Sequence, residues 1–320
     1  MLLLQRLYHQ KSQSGGPSAE EIFKWTQQLE SRNETLVRYF GTKRPERLTQ
    51  SAVERVLGWL GDHGEPVFDA VRGSLEGLFT AVNWLLQSPP APVVMAVLLL
   101  AGWRSVGLRF GLLAALGMAA CWSMGLWAVT MDTLALVIAA TTAALAVALP
   151  VGVVLGYCPG LDRLFEPALD MLQTLPPYIY LLPAIALLGY GPATALLATV
   201  IVAIPPALRL TSLGIRQTPV SFIELAQASG TTPLQAFLKI RLPFARPSIL
   251  AGVNQSLMMA FGMVVIAGIV GSGGLGETIY GAVRTLDIAT SIDATVAIVI
   301  LTMVLDRITQ GAPRAHEGSK

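Results

Sequence analysis

Charge is scarce in this sequence. Of its 320 residues only 13% are Asp, Glu, Lys or Arg, about half the share found in an ordinary soluble domain. Cysteine and histidine are scarcer still. Cys121 and Cys158 lie in or beside apolar segments and offer no disulfide framework. His9, His63 and His316 form no metal-ligand spacing such as H-E-x-x-H. No Gly-Lys dipeptide occurs anywhere, so the phosphate-binding loop that ends in Gly-Lys-Ser/Thr is excluded, and with it ATP hydrolysis by that device. A net charge of +2 without a basic patch argues against nucleic-acid binding. The alternating strands of about ten residues that mark a transmembrane barrel are missing. Met1-Leu-Leu-Leu-Gln-Arg6 is too short an apolar opening for a signal peptide.

The scarce charge is also unevenly placed. Residues 1–90 hold 10 Lys/Arg and 10 Asp/Glu, whereas the 220 positions from 91 to 310 hold 10 and 9. Charge-free windows run from Gly77 to Trp103, Phe110 to Met131, Thr133 to Leu161, Met171 to Leu208, Pro247 to Gly276 and Ala294 to Leu305. A helix needs about 20 apolar residues to cross the hydrocarbon core, and most windows meet that length. The expectation is an all-α polytopic membrane protein with about seven spans: 91–106, 108–129, 133–157, 172–190, 192–211, 248–271 and 291–309. Residues 1–66 read as a polar segment of surface helices, with turns at Gly15-Gly16-Pro17 and Gly41–Pro45. Residues 67–129 combine an amphipathic helix lying at the membrane surface, interrupted in its apolar pattern by Asp69, Arg72 and Glu76, with the first two spans. Residues 130–310 form the core, with a polar loop at 212–247, and 311–320 are a tail.

Lys and Arg in short loops set orientation. Arg209, Arg216, Lys239, Arg241 and Arg246 against a single acid, Glu224, place the segment 209–246 in the cytoplasm. Counting spans from there puts the C-terminus inside and the N-terminus outside, or inside if 66–86 also crosses. The Cys158–Asp170 stretch, acidic apart from Arg163, fits its cytoplasmic place poorly.

The polar loop carries the most specific pattern. Glu224-Leu225-Ala226 is followed after three residues by Gly230, and after nine more by Ile240-Arg241-Leu242-Pro243. Read locally, Ser221-Phe-Ile-Glu224 fits a capping box. Gly230 ends that helix in the left-handed region. Thr232-Pro233 starts a second helix as N-cap and first residue, and Pro243 stops it. The product is a helix-turn-helix held outside the membrane between two spans.

This spacing resembles the EAA loop, E-A-A-x3-G-x9-I-x-L-P, of membrane subunits from binding-protein-dependent ABC importers, Leu225 in place of the middle alanine being the one departure. Further runs are similar to the glycine betaine/proline permease branch. They are Asp170-Met-Leu-Gln173-Thr174-Leu-Pro176-Pro177-Tyr178-Ile-Tyr180, Ile204-Pro205-Pro206-Ala-Leu-Arg209, Ala251-Gly-Val-Asn254-Gln255-Ser-Leu-Met258, Gly273-Gly-Leu-Gly276 and Leu305-Asp306-Arg307-Ile-Thr309-Gln310. The resemblance covers about residues 130–310; the first 60 residues match less well.

The resemblance implies a type I importer permease core in a bacterial inner membrane. It implies a homodimer, two ATP-binding-cassette ATPase subunits and an external substrate-binding protein. ATP and Mg²⁺ then belong to the ATPase, leaving no cofactor in this chain. The EAA loop acts as a coupling helix docked in a groove of the ATPase, which assigns that contact to Glu224, Ala226 and Gly230, flanked by Phe222, Ile223 and Leu225. Exposed Phe222 or Leu225 would otherwise be an unexplained apolar patch. The implied cargo is glycine betaine, proline betaine, proline, choline or carnitine.

For the translocation path the polar, aromatic or polarizable candidates are Gln173, Thr174, Tyr178, Tyr180, Asn254, Gln255 and Met258. Tyrosine faces hold quaternary ammonium groups by cation–π attraction, although Tyr is also an interfacial anchor and Asn or Gln also joins helices. Gly152 and Gly156 read as helix packing. Gly271-Ser-Gly273-Gly-Leu-Gly276 matches the dinucleotide pattern G-x-G-x-x-G, but that motif needs a preceding strand in a βαβ unit. Here an apolar helix precedes it, and the glycines are expected to break that helix at the outer surface. Rival functions are an importer permease for another amino acid, an ion-coupled carrier and a channel. The absence of ionisable residues from the middles of the spans disfavours the carrier.

Overall fold

The computed structural model describes the backbone of residues 48–317 and the side-chain surroundings of residues 64–311. Two compact units are present, 1–60 and 61–320. Of the first only the helical backbone from Leu48 onward is described, and the expected turns at Gly15-Gly16-Pro17 and Gly41–Pro45 lie outside the described residues.

Every regular element among the described residues is helical. In chain order they are α1 (Leu48–Gln87), α2 (Ala91–Ser105), α3 (Leu108–Ser123), α4 (Trp127–Tyr157), α5 (Pro159–Thr174), a 3-10 turn (Pro177–Tyr180), α6 (Leu181–Leu188) and α7 (Pro192–Arg216). They continue with α8 (Val220–Ala228), α9 (Pro233–Ala236), a π turn (Phe237–Arg241), α10 (Leu242–Ala267), α11 (Gly274–Thr285) and α12 (Ile288–Glu317).

The seven apolar segments take three forms. Trp127–Tyr157, Pro192–Arg216, Pro233–Val270 and Ile288–Gly311 are each long and apolar enough to cross a membrane. Segment 172–190 is not one helix. Leu175-Pro176-Pro177 breaks it, and Pro159–Thr174 meets Pro177–Leu188 at 105°, because a residue before proline is driven out of the helical region. Ser88-Pro89-Pro90 likewise bends α1 against α2 by 97°. Leu108–Ser123 is a shorter apolar helix.

Helices α4, α7 and α10 form the centre of the body. At 31 residues α4 is about 46 Å long, more than a hydrocarbon core requires. Gly152 and Gly156 let it press against α7: a Cβ on Gly152 would lie 2.8 Å from the Leu208 carbonyl oxygen, and one on Gly156 2.7 Å from the Ile215 Cβ. On the other side of α7, Gly252 of α10 approaches Ala207, and the Ser256 hydroxyl donates to the Ala203 carbonyl at 2.6 Å. Small residues that allow close backbone approach are the usual basis of helix association in lipid. Met131, Leu134, Leu136, Leu196, Met263 and Leu301 fill the core between these helices. Leu75, Leu78, Phe79, Val82 and Leu86 lay one stripe of α1 on that core, and α12 packs against both α2 and α3.

Candidate coupling segment and translocation face

The connection from α7 to α10 is a sequence of caps. Helix α8 starts at Val220 with Pro219 as N-cap and no side-chain capping bond. The expected Ser221–Glu224 box does not form, because Pro219 fixes the helix entry two residues before Ser221 and leaves Glu224 in the second turn. The Glu224 carboxylate is exposed and free of intrachain bonds among the described residues. The other end follows the expectation closely. Gly230 has φ +67°, its N–H donates to Gln227 O at 3.0 Å, and Thr231 N–H donates to Ala226 O at 3.0 Å. These two bonds constitute a Schellman motif. Thr232 then caps α9: its hydroxyl accepts from the Gln235 N–H at 3.3 Å, while the Gln235 side chain accepts from the Thr232 N–H at 3.1 Å.

Pro243 does not end the second helix. The chain stays helical from Pro233 to Val270. In an unbroken α-helix the proline ring would clash with the carbonyl four residues back. Here the Leu242 N–H reaches back five residues to Phe237 O, and this π turn takes the preceding carbonyls out of α register.

The assigned coupling residues fall on two sides of α8. Ala226 is 5% exposed and faces its own chain; the Phe222 ring packs on Phe244 of α10, centroids 4.9 Å apart, but stays 44% exposed, and Ile223 is half-buried. Leu225, at 62% exposure, and Glu224 face outward. A Cβ on Gly230 would meet nothing within 4 Å, so the surface there is open.

Sequence reasoning missed the partners of α5. Its acids look misplaced for a cytoplasmic loop, yet Asp162 accepts from Arg216 at 2.6 Å and from Ser212 Oγ at 2.8 Å, and Asp170 meets Arg209 at 2.5 Å. The polar face of α5 thus lies on α7, while Leu161, Leu164, Phe165 and Met171 point away exposed. The spacing of Asp162, Glu166 and Asp170 against Arg209, Ser212 and Arg216 was the available signal: both sets recur at helical intervals.

The path candidates divide as well. Gln173, Thr174 and Tyr178 are exposed beside the broken helix, and Gln255 and Met258 share an exposed face of α10, which touches the 3-10 turn. Tyr180 is buried and donates its hydroxyl to Leu172 O at 2.8 Å, bracing the break. Asn254 bonds Asp306 of α12 at 3.4 Å and accepts from Thr309 Oγ1 at 2.7 Å.

At the opposite end of the body the glycine run breaks the helix as expected. Gly271 is left-handed, and a Cβ on Gly268 would lie 2.3 Å from the Gly276 carbonyl carbon. The Leu275 N–H donates to Thr133 Oγ1 at 2.8 Å, and Gly191 N–H to Val270 O at 3.1 Å. No strand precedes this run among the described residues, so the dinucleotide pattern lacks its required context.

A capped helix with one outward face thus lies between two helices long and apolar enough to cross a membrane. The family model described as "Binding-protein-dependent transport system inner membrane component" matches residues 148–312, and the chain belongs to that family. It is 38% identical over 264 residues to the glycine betaine/proline betaine transport system permease protein ProW of Escherichia coli (strain K12), covering 82% of this chain and 75% of that one. It is 37% identical over 251 residues to the glycine betaine/carnitine transport permease protein GbuB of Listeria monocytogenes, covering 77% and 89%. Among solved structures, an inward-facing form of the MetNI methionine ABC transporter matches with TM-score 0.53 and 24% identity, over 61% of this chain and 96% of that one. That likeness concerns the fold, which is the ABC importer type I permease fold.

Proposed function

We propose that this permease carries glycine betaine or a closely related quaternary-ammonium solute inward, as a homodimer joined to two ATPase subunits and fed by an external binding protein. The observation that carries the reading is α8: a short helix, rigidly capped at Gly230, presenting Glu224 and Leu225 outward from a segment continuous with α10. ATP-driven closure of the ATPase pair draws the two coupling helices together. The displacement then reaches the spans as a rigid-body shift, and the binding protein biases the same two-state equilibrium by its differential affinity. Names of the relatives support the cargo class. Gln173, Thr174, Tyr178, Gln255 and Met258 are the residues proposed to meet it. The coupling segment and C-terminus are assigned to the cytoplasm. Gln87 bonds Asp132 at 2.6 Å, near the Thr133–Leu275 contact, and α1 then turns by 97°, which favours an external N-terminus.

The test is mild-detergent purification of the tagged chain with mass spectrometry of what accompanies it, alongside uptake of labelled glycine betaine. The expected result is a P-loop ATPase that is lost, together with uptake, in Gly230→Leu. Recovery of the chain alone in several gentle detergents would replace this reading with a self-contained channel or carrier. Labelling of Asp69→Cys by an impermeant maleimide from outside is expected; labelling from the cytoplasm alone would reverse the N-terminal assignment.

A further inference from the structure

Beside the π turn lies a groove of about 380 Å³ lined by Leu238, Leu242, Pro243, Arg246, Ile249 and Leu250. Its volume is at the lower end of sites that take small-molecule ligands. Apart from Arg246 the lining is apolar, and Leu238 is 50% exposed. Leu238, Leu242, Arg246 and Ile249–Leu250 recur at helical spacing on one face of the continuous helix Pro233–Val270. Deeper along the helix the same face continues as Leu257, Ala260 and Val264, all buried. A face covered by protein further in is therefore uncovered toward the coupling end. Gln255 and Met258 lie on the opposite side of the helix, so the groove is separate from the proposed path.

The charge around the groove is uncompensated. Arg209 and Arg216 are matched by Asp170 and Asp162, and Arg241 lies over the Tyr157 ring at 4.4 Å. Arg246 and Lys239 meet no carboxylate among the described residues. An apolar slot with an unpaired guanidinium at its rim, located where an apolar span begins, matches one ligand chemistry: an acyl chain joined to a negatively charged headgroup.

We infer that this groove holds an anionic phospholipid of the cytoplasmic leaflet, its tail along Leu238, Leu242, Ile249 and Leu250 and its phosphate on Arg246. A zwitterionic lipid also brings a phosphate but sets a cation beside it, so only an anionic headgroup leaves net negative charge for Arg246. The inference uses the cytoplasmic placement of the coupling segment and is independent of the cargo.

The test uses the full-length chain in detergent with phosphatidylglycerol or phosphatidylcholine added, read by native mass spectrometry. Phosphatidylglycerol adducts are expected to outnumber phosphatidylcholine adducts. Arg246→Gln should reduce that preference roughly fivefold, the worth of one basic residue near an anionic headgroup, and Arg246→Lys should keep most of it. Phosphatidylglycerol with a diazirine in its tail should label the peptide 238–250. Equal retention of the two lipids, an unchanged preference in Arg246→Gln, or labelling elsewhere would overturn the site. Labelling abolished by bound ATPase would assign the groove to a protein partner instead. None of these readouts depends on substrate uptake, so the lipid site and the transport reading fail separately.

Discussion

The two ends of this helical body are joined by partly different materials. Where α10 meets α11 the contact is backbone on backbone: a Cβ on Gly268 would be 2.3 Å from the Gly276 carbonyl carbon, and one on Gly276 would be 2.5 Å from the Val264 carbonyl oxygen. At the coupling end α4, α7 and α10 still meet at glycines, Gly156 on Ile215 and Gly214 on Ala245. There, however, α5 and α8 are held by long side chains, through Arg209–Asp170, Arg216–Asp162 and Phe222–Phe244. Touching backbones have no slack, since an added methyl has nowhere to go. A half-exposed arginine pair exchanges with water at little cost. The glycine contacts leave no room to adjust, whereas the docking of α5 and α8 has some.

The largest expected effect tests the glycine contacts. Gly268→Val should exceed the ~1–3 kcal/mol of ordinary overpacking, because the obstructing atoms are backbone. Loss of monodisperse protein in fluorescence-detected size exclusion is the check, and a well-behaved Gly268→Val protein would dissolve the contrast. Next comes Gly230, whose surroundings are open. Its left-handed backbone costs a substituted residue about 1–2 kcal/mol, and less for Asn. Gly230→Asn should therefore keep the fold and the Schellman turn, so uptake lost without a change in Tm locates the defect in the partner contact. A smaller effect is expected at the adjustable docking. Asp162→Asn should weaken α5 docking by about 1 kcal/mol, seen as faster hydrogen exchange in 159–174. The exchanged pair Asp162→Arg with Arg216→Asp should restore protection.

The smallest effect concerns Asp287, which caps α12. Hydrogen bonds from the Thr290 hydroxyl and the Thr290 N–H hold its carboxyl below the ordinary value. A lowered folded-state pKa means that the cap contributes fully above the ordinary carboxylate value of about 4 and is lost as pH falls through the lowered one. Exchange in the first turn of α12 should rise only below that range; an earlier rise would point to another group.

What the sequence made legible was local. Gly230, Thr232 and Pro233 act within a few residues of their own helix ends, so their roles could be read from spacing. The charge-free windows likewise located every apolar segment. What it hid depends on distant partners or on competition between neighbours. Asp162 finds Arg216 across 54 positions: the spacing of each set marks a polar stripe but not the stripe it meets. Ser221 offered a cap, but Pro219 had already set the entry of α8. Pro243 looked like a stop because a π turn leaves no signature in residue type. The bonds of Asn254 to Asp306 and Thr309 were hidden for the same reason as that of Asp162, since both partners lie on another helix.

The π turn at Phe237–Arg241 also has a consequence for how insertions and deletions act on this chain. It behaves as a single extra residue spliced into a rod that is helical on both sides. Deleting one residue there would close the segment as α-helix with its two ends in nearly the same phase, because a π turn absorbs its extra residue locally, but it would bring the Pro243 ring back against the carbonyl four residues before it. The expected result is a kink or break of the rod at Pro243 rather than a simple rotation of Glu224 and Leu225. The extra residue at this point therefore lets a proline stand inside a rod that stays helical from Pro233 to Val270.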